Sequence, residues 1–151
     1  MFGLGIKKPP RLDRFPLDAW NVAQGEFEGK PMVIRINTGA RNYIAHPELP
    51  FRLGITVSFN TPNEHGFCSG DEGDQLSAIE DTLTECLGSE QIAFPVLVVT
   101  CAGRREYIFY ASDTKRASQT VERCRIGITS HQLQFAMESD TEWSYFAQFC
   151  M

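Results

Sequence analysis

Between Gly70 and Ser112 the sequence reads GDEGDQLSAIEDTLTECLGSEQIAFPVLVVTCAGRREYIFYAS, one helix followed by two strands around a tight turn. Leu76, Ile79, Leu83 and Leu87 recur at helical spacing with Cys86 beside them, so one stripe of the helix must face a core. Asp71, Glu72 and Asp74 suit the positive end of the helix dipole, and Gly88 suits the residue just past the helix end. Phe94 to Cys101 is a short continuous apolar run rich in valine, the pattern of a strand buried on both faces. Ala102-Gly103 turns the chain, and Glu106 to Ala111 returns as a second, aromatic-rich strand. This stretch fixes a fold more firmly than a function.

The flanking segments extend that sheet. Leu17 to Gln24 and Lys30 to Asn37 form a hairpin around Glu26-Phe27-Glu28-Gly29, with Met32, Ile34 and Ile36 on one side and Val33, Arg35 and Asn37 on the other. Thr38 to Pro50 is a loop. Arg52 to Asn60 alternates cleanly, with Leu53, Ile55, Val57 and Phe59 inward. Asp113 caps a second helix through about Ile126, with Ala117, Val121 and Cys124 as its inner stripe. His131 to Glu138 is another alternating strand, and Asp140 caps a short last helix carrying Trp143, Phe146, Ala147 and Cys150. From Arg52 onward the order is strand, helix, strand, strand, helix, strand, helix. This predicts a ferredoxin-like βαββαβ core with an added N-terminal β-hairpin and a short C-terminal helix, the helices lying on one face of a mainly antiparallel sheet. Residues 1–15, with Lys7, Lys8, Arg11 and Arg14 around Pro9-Pro10, read as an N-terminal arm, and 16–151 as a single domain.

Composition narrows the function classes. The chain has 151 residues, enough to bury about two-thirds of its unfolded surface without a covalent staple. Its net charge of −5 argues against neutralising phosphates, so no nucleic acid is expected as a partner. The five cysteines are odd in number, widely spread and without a CxxC pair, which predicts buried thiols in a reducing, cytoplasmic compartment. No stretch approaches the ~20 apolar residues of a membrane span, and no membrane association is expected.

Chemistry-bearing residues are sparse. No nucleophile and base are set together in a known spacing, so no catalytic residue is assigned and no cofactor is expected. His46 with Glu48, or His65 with Glu64, could join a metal site, against the alternative that all are loop residues. The glycines before the first helix are flanked by acids and followed by no lysine, which rules out a phosphate cradle. Arg104 to Tyr110 loosely resembles the aromatic strand of RNA-recognition domains, but Glu106 stands where that motif has glycine. Glu80, at the margin of the apolar stripe, is either a structural ion-pair partner or a carboxylate with shifted acidity. Arg35 and Asn37, set opposite Ile34 and Ile36, project from the side away from the isoleucines. There they could anchor an anionic ligand or partner.

These residues together resemble a family. Trp20, Gly29, Pro31, Arg35 and Asn37 in the hairpin, and Leu76, Glu80, Asp81 and Leu83 in the helix, are similar to the bacterial domain of unknown function 695. So are Thr100, Gly103, Arg105, Glu106 and Tyr110 in the central pair and Asp140 with Trp143 near the end. The resemblance implies no activity, cofactor or substrate. Some relatives are joined to a domain like the regulator that inhibits ribonuclease E, which implies a regulatory role by association only. Two readings stand beside each other. One is a small binding or regulatory module acting through an open sheet face or edge, with an unknown protein partner or a second copy of itself. The other is a small-ligand binder or enzyme. Arg35, Asn37, Glu80, Thr100, Arg105 and Tyr110 are the binding candidates.

Overall fold

The computed structural model describes residues 8–150. The first seven residues of the expected arm lie outside that range. The elements run β1 (Trp20–Phe27), β2 (Lys30–Asn37), β3 (Phe51–Ser58), α1 (Gly70–Gly88), β4 (Ala93–Cys101), β5 (Arg104–Ala111), α2 (Thr114–Gly127), β6 (Leu133–Ser139) and α3 (Ser144–Ala147). Short 3-10 turns occupy Leu12–Arg14 and Thr38–Tyr43. The six strands form one open sheet, antiparallel throughout, in the order β1-β2-β4-β5-β3-β6. The mixed α+β class is as expected. The order of the six strands is not the four-stranded order that the ferredoxin-like name denotes.

Local chemistry explains the elements. Glu28-Gly29 and Ala102-Gly103 are both left-handed pairs between directly paired strand ends, the geometry of two-residue hairpin turns. The Asp113 side chain accepts a hydrogen bond from the Arg116 N–H at 2.9 Å and so caps α2. α1 runs through Gly88 itself; the left-handed residue beyond it is Gln91, not a glycine. Pro95, which has no N–H to give, sits at a register shift between Pro95 and Leu97 within β4, where a central strand tolerates proline.

The helices do not all lie on one face. α1 and α2 cover the first face, where Leu53, Ile55, Val57, Tyr107, Phe109 and Val98 meet Leu76, Ile79, Leu83, Val121 and Cys124. The second face has its own core, which includes Ile34, Ile36, Phe94, Leu97, Ile108 and Tyr110. It is covered at one end by Phe15, Tyr43, Leu49, Trp143 and Phe146, brought by irregular segments and by α3. Trp143 stacks on Tyr110 at 4.0 Å and donates its indole N–H to the Leu49 carbonyl at 2.9 Å. Phe15 stacks on Phe94, and Tyr43 donates its hydroxyl to the Arg11 carbonyl at 2.7 Å, so the described part of the arm is bound to the body.

A buried acid ties three segments together at one end of the first face. Glu72 in α1 accepts hydrogen bonds from the Asn60 and Thr61 backbone N–H groups and from the Thr61 hydroxyl, and its carboxylate meets His131 Nε2. Burial alone raises the pKa of such a carboxyl. The Asn60 N–H, His131 and the Thr61 donors outweigh burial and hold Glu72 down at about 2, against an ordinary 4.5. A folded value below the unfolded one means the stabilisation is full above about pH 4.5 and is lost as pH falls toward 2. Urea unfolding as a function of pH should show this acid arm in the parent protein and a flatter one in Glu72→Gln, which is also less stable at neutral pH. Identical slopes would contradict the assignment.

Candidate functional site

The binding candidates separate into three places. Arg35 faces α1, because Ile34 and Ile36 belong to the second-face core and the alternation of β2 turns Arg35 the other way. There its two terminal nitrogens donate to both carboxylate oxygens of Glu80, at 2.8 and 3.1 Å, while the guanidinium lies 5.0 Å from the Trp20 ring centre. Glu80 is thus an ion-pair partner at the margin of the helix stripe. Two rows along the same face, Arg105 donates through Nε to the Thr100 hydroxyl at 2.9 Å, its directly paired neighbour. These four polar residues share one face of the sheet and satisfy one another in pairs.

Asn37 is fully buried and holds backbone. Its amide donates to the Pro16 carbonyl at 2.8 Å and the Pro95 carbonyl at 3.0 Å, joining the arm to the irregular part of β4. Tyr110 is on the second face, where its hydroxyl donates to Asp140 Oδ2 at 2.7 Å. Burial and the Asp140 carboxylate both raise its pKa, so the phenol stays a donor. Asp140 also accepts from the Ser144 and Tyr145 N–H groups and so caps α3. His46 accepts the Glu48 N–H on Nδ1, which leaves Nε2 to donate to the Pro10 carbonyl at 2.8 Å. No group of three metal-ligating side chains occurs among the described residues.

A different set of residues forms a cleft on the second face, where the cover ends. It measures about 350 Å³, at the lower limit of the ~300–1,000 Å³ typical of small-ligand sites. Gly54 and Ala136, directly paired, are its floor. Thr56, Gln134 and Glu106 stand along one side, and Arg52, Glu138 and Tyr145 close the end beside α3. Arg52 donates to Glu138 at 2.7 Å and lies 4.4 Å from the Tyr145 ring centre. Glu106 has no hydrogen-bond or ion-pair partner among the described residues. Burial raises its pKa, opposed by the charges of Arg52 and Arg104. A larger concavity of about 690 Å³ lies between the arm and α1, with Phe15, Trp20 and Phe94 against Asp81 and Glu85.

Thr56 and Gln134 lie on the second face, and the arginine that shares their cleft is Arg52 rather than Arg35. The missed residue is Gly54. Its signal lay in FRLGITVS, where a glycine interrupts a strand of otherwise regular alternation.

A family model described as a family of unknown function (DUF695) matches residues 18–151, and the chain belongs to that family. No curated protein and no solved structure matches it. No helix among the described residues is long and apolar enough to cross a membrane.

The side chains of Glu80 and Arg35 are 17% and 35% exposed, so solvent screens part of their attraction while the two-bond geometry strengthens it. A double-mutant cycle of Arg35→Met and Glu80→Gln should give a coupling of about 0.5–1.5 kcal/mol in unfolding free energy. A coupling of zero would show that the pair is not formed in solution.

Proposed function

We propose that this family member is a small binding module whose ligand enters the cleft over Gly54, on the uncovered end of the sheet's second face. Gly54 is the observation that carries the reading. Glycine inside a strand costs about 0.5–1 kcal/mol relative to alanine, and it persists for a bulge, a left-handed backbone, or the close approach of another group. β3 pairs with β5 and β6 without a register shift, and Gly54 is not among the left-handed glycines. The nearest atoms to a Cβ built there are side-chain atoms, Glu106 Oε2 at 3.3 Å, Ile108 Cδ1 at 3.6 Å and Glu106 Cδ at 3.8 Å. The Glu106 carboxylate takes part of that space, and the open remainder of the cleft is the room we assign to a ligand.

The sheet order supports a finer architectural reading. The strands after residue 50 stand β4-β5-β3-β6, so a split βαβ core extended by the β1-β2 hairpin accounts for the element order. The five free cysteines, two of them buried, favour a reducing compartment such as the cytoplasm.

Amide chemical shifts recorded against a fragment library of mixed charge test the binding role. Hits should map to Gly54, Thr56 and Ala136 and disappear in Gly54→Val. Gly54→Ala should unfold at or above the parent temperature, because an alanine fits ordinary strand backbone. Hits that gather at Trp20 and Asp81, or that survive in Gly54→Val, would overturn the assignment.

A further inference from the structure

The charges around the Gly54 cleft are unequal. Arg52 is its one lining cation, and it is engaged by Glu138 at 2.7 Å, lies 3.9 Å from Asp140 and is stacked on Tyr145. Asp140 is taken up by the Tyr110 hydroxyl and two backbone N–H groups of α3. Glu106, by contrast, lies against the floor of the cleft and has no such partner among the described residues. The Glu106 carboxylate still reaches water but has no protein donor, and a planar or compact cation pairs with such a group most effectively. Thr56, which pairs directly with Glu106, and Gln134, which pairs with Thr56, add hydroxyl and amide oxygens for further N–H donors.

We infer that the cleft takes a compact organic cation, a guanidinium or primary ammonium group, with Glu106 as its counter-charge and the Gly54-Ala136 floor as the surface it rests on. This rests on the reading of the cleft as the binding site. Specificity follows from the geometry. Arg52 and Tyr145 close one end, so a long aliphatic group is excluded there, while a flat cation fits over the Gly54-Ala136 floor, which has no side chain beyond a methyl group.

The inference predicts a pH dependence. Arg52 from β3, Arg104 from β5, Glu138 from β6 and Tyr145 from α3 surround Glu106; both arginines keep their charge, and burial keeps the Tyr145 phenol protonated. A proton on Glu106 competes with the cation, so binding weakens as pH falls through the raised pKa of this carboxyl.

The test uses amide shifts of the full chain titrated with methylguanidinium, with methylurea as its neutral counterpart and with acetate. Methylguanidinium should shift Gly54, Glu106 and Ala136 saturably, methylurea and acetate should not, and Glu106→Gln should weaken binding at least tenfold. The pH series on the parent protein gives the same answer without a substitution. If methylurea or acetate saturates these amides as well as methylguanidinium does, or if Glu106→Gln binds equally, the cation is wrong and the cleft stands. If no probe acts there, the cleft itself is wrong. The peptide acetyl-Gly-Arg-Gly-amide separates the two sources of the group. Tighter binding than methylguanidinium identifies an arginine side chain of a protein partner, and equal or weaker binding identifies a free small cation.

Discussion

An antiparallel sheet whose central strands are buried on both faces must be covered twice, and the described residues form only two long helices. That shortage shapes the rest of the molecule. α1 and α2 are both spent on the first face. The second face is covered by pieces with little regular structure of their own, the arm at Phe15, the 38–50 segment and the chain after Asp140. Such pieces need specific fastening, and they have it in the Tyr110–Trp143 stack, the Asp140 hydrogen bonds and the Trp143-to-Leu49 bond. The cover stops beyond Tyr145, and the small residues Gly54 and Ala136 begin where it stops.

Electrostatics follow the same division. On the first face the polar residues close on one another, Arg35 with Glu80 and Arg105 with Thr100, which leaves little for a ligand to grip. On the second face the pairing is incomplete. Arg52 has two acids within reach and Glu106 has no bonded partner among the described residues. A half-buried carboxylate with no bonded partner among the described residues, beside Tyr107 and Ile108 in β5, is costly to keep for packing alone.

Much of the fold was legible in the residues. The stripe of α1, the Ala102-Gly103 turn, the Asp113 cap and the inward set of β3 all appear where the spacing put them. What alternation cannot supply is the side of the sheet on which a given row falls. Alternation sets Arg35 opposite Ile34 and Ile36, but a core exists on both sides of the sheet, and the isoleucines serve the second. Arg35 therefore went to α1. The cover of the second face was equally hidden, since 38–50 is a loop by every local signal and only its contacts with Phe15 and Trp143 make it part of a layer. Glu72 was read as one acid of an acidic first turn, because its partners Asn60, Thr61 and His131 are distant in the chain.

The central claim is that the uncovered end of the second face receives a small ligand at Glu106. Carbodiimide labelling of carboxyl groups, read by peptide mass spectrometry, tests it without knowing what the ligand is. The protein is labelled alone and again with the low-molecular-mass filtrate of an extract from its source cells. Glu106 should be modified in the isolated protein and selectively protected by the filtrate, with Asp81 and Glu85 on α1 unchanged. Equal labelling of Glu106 in both samples, or protection at Asp81 and Glu85 in its place, would contradict the account.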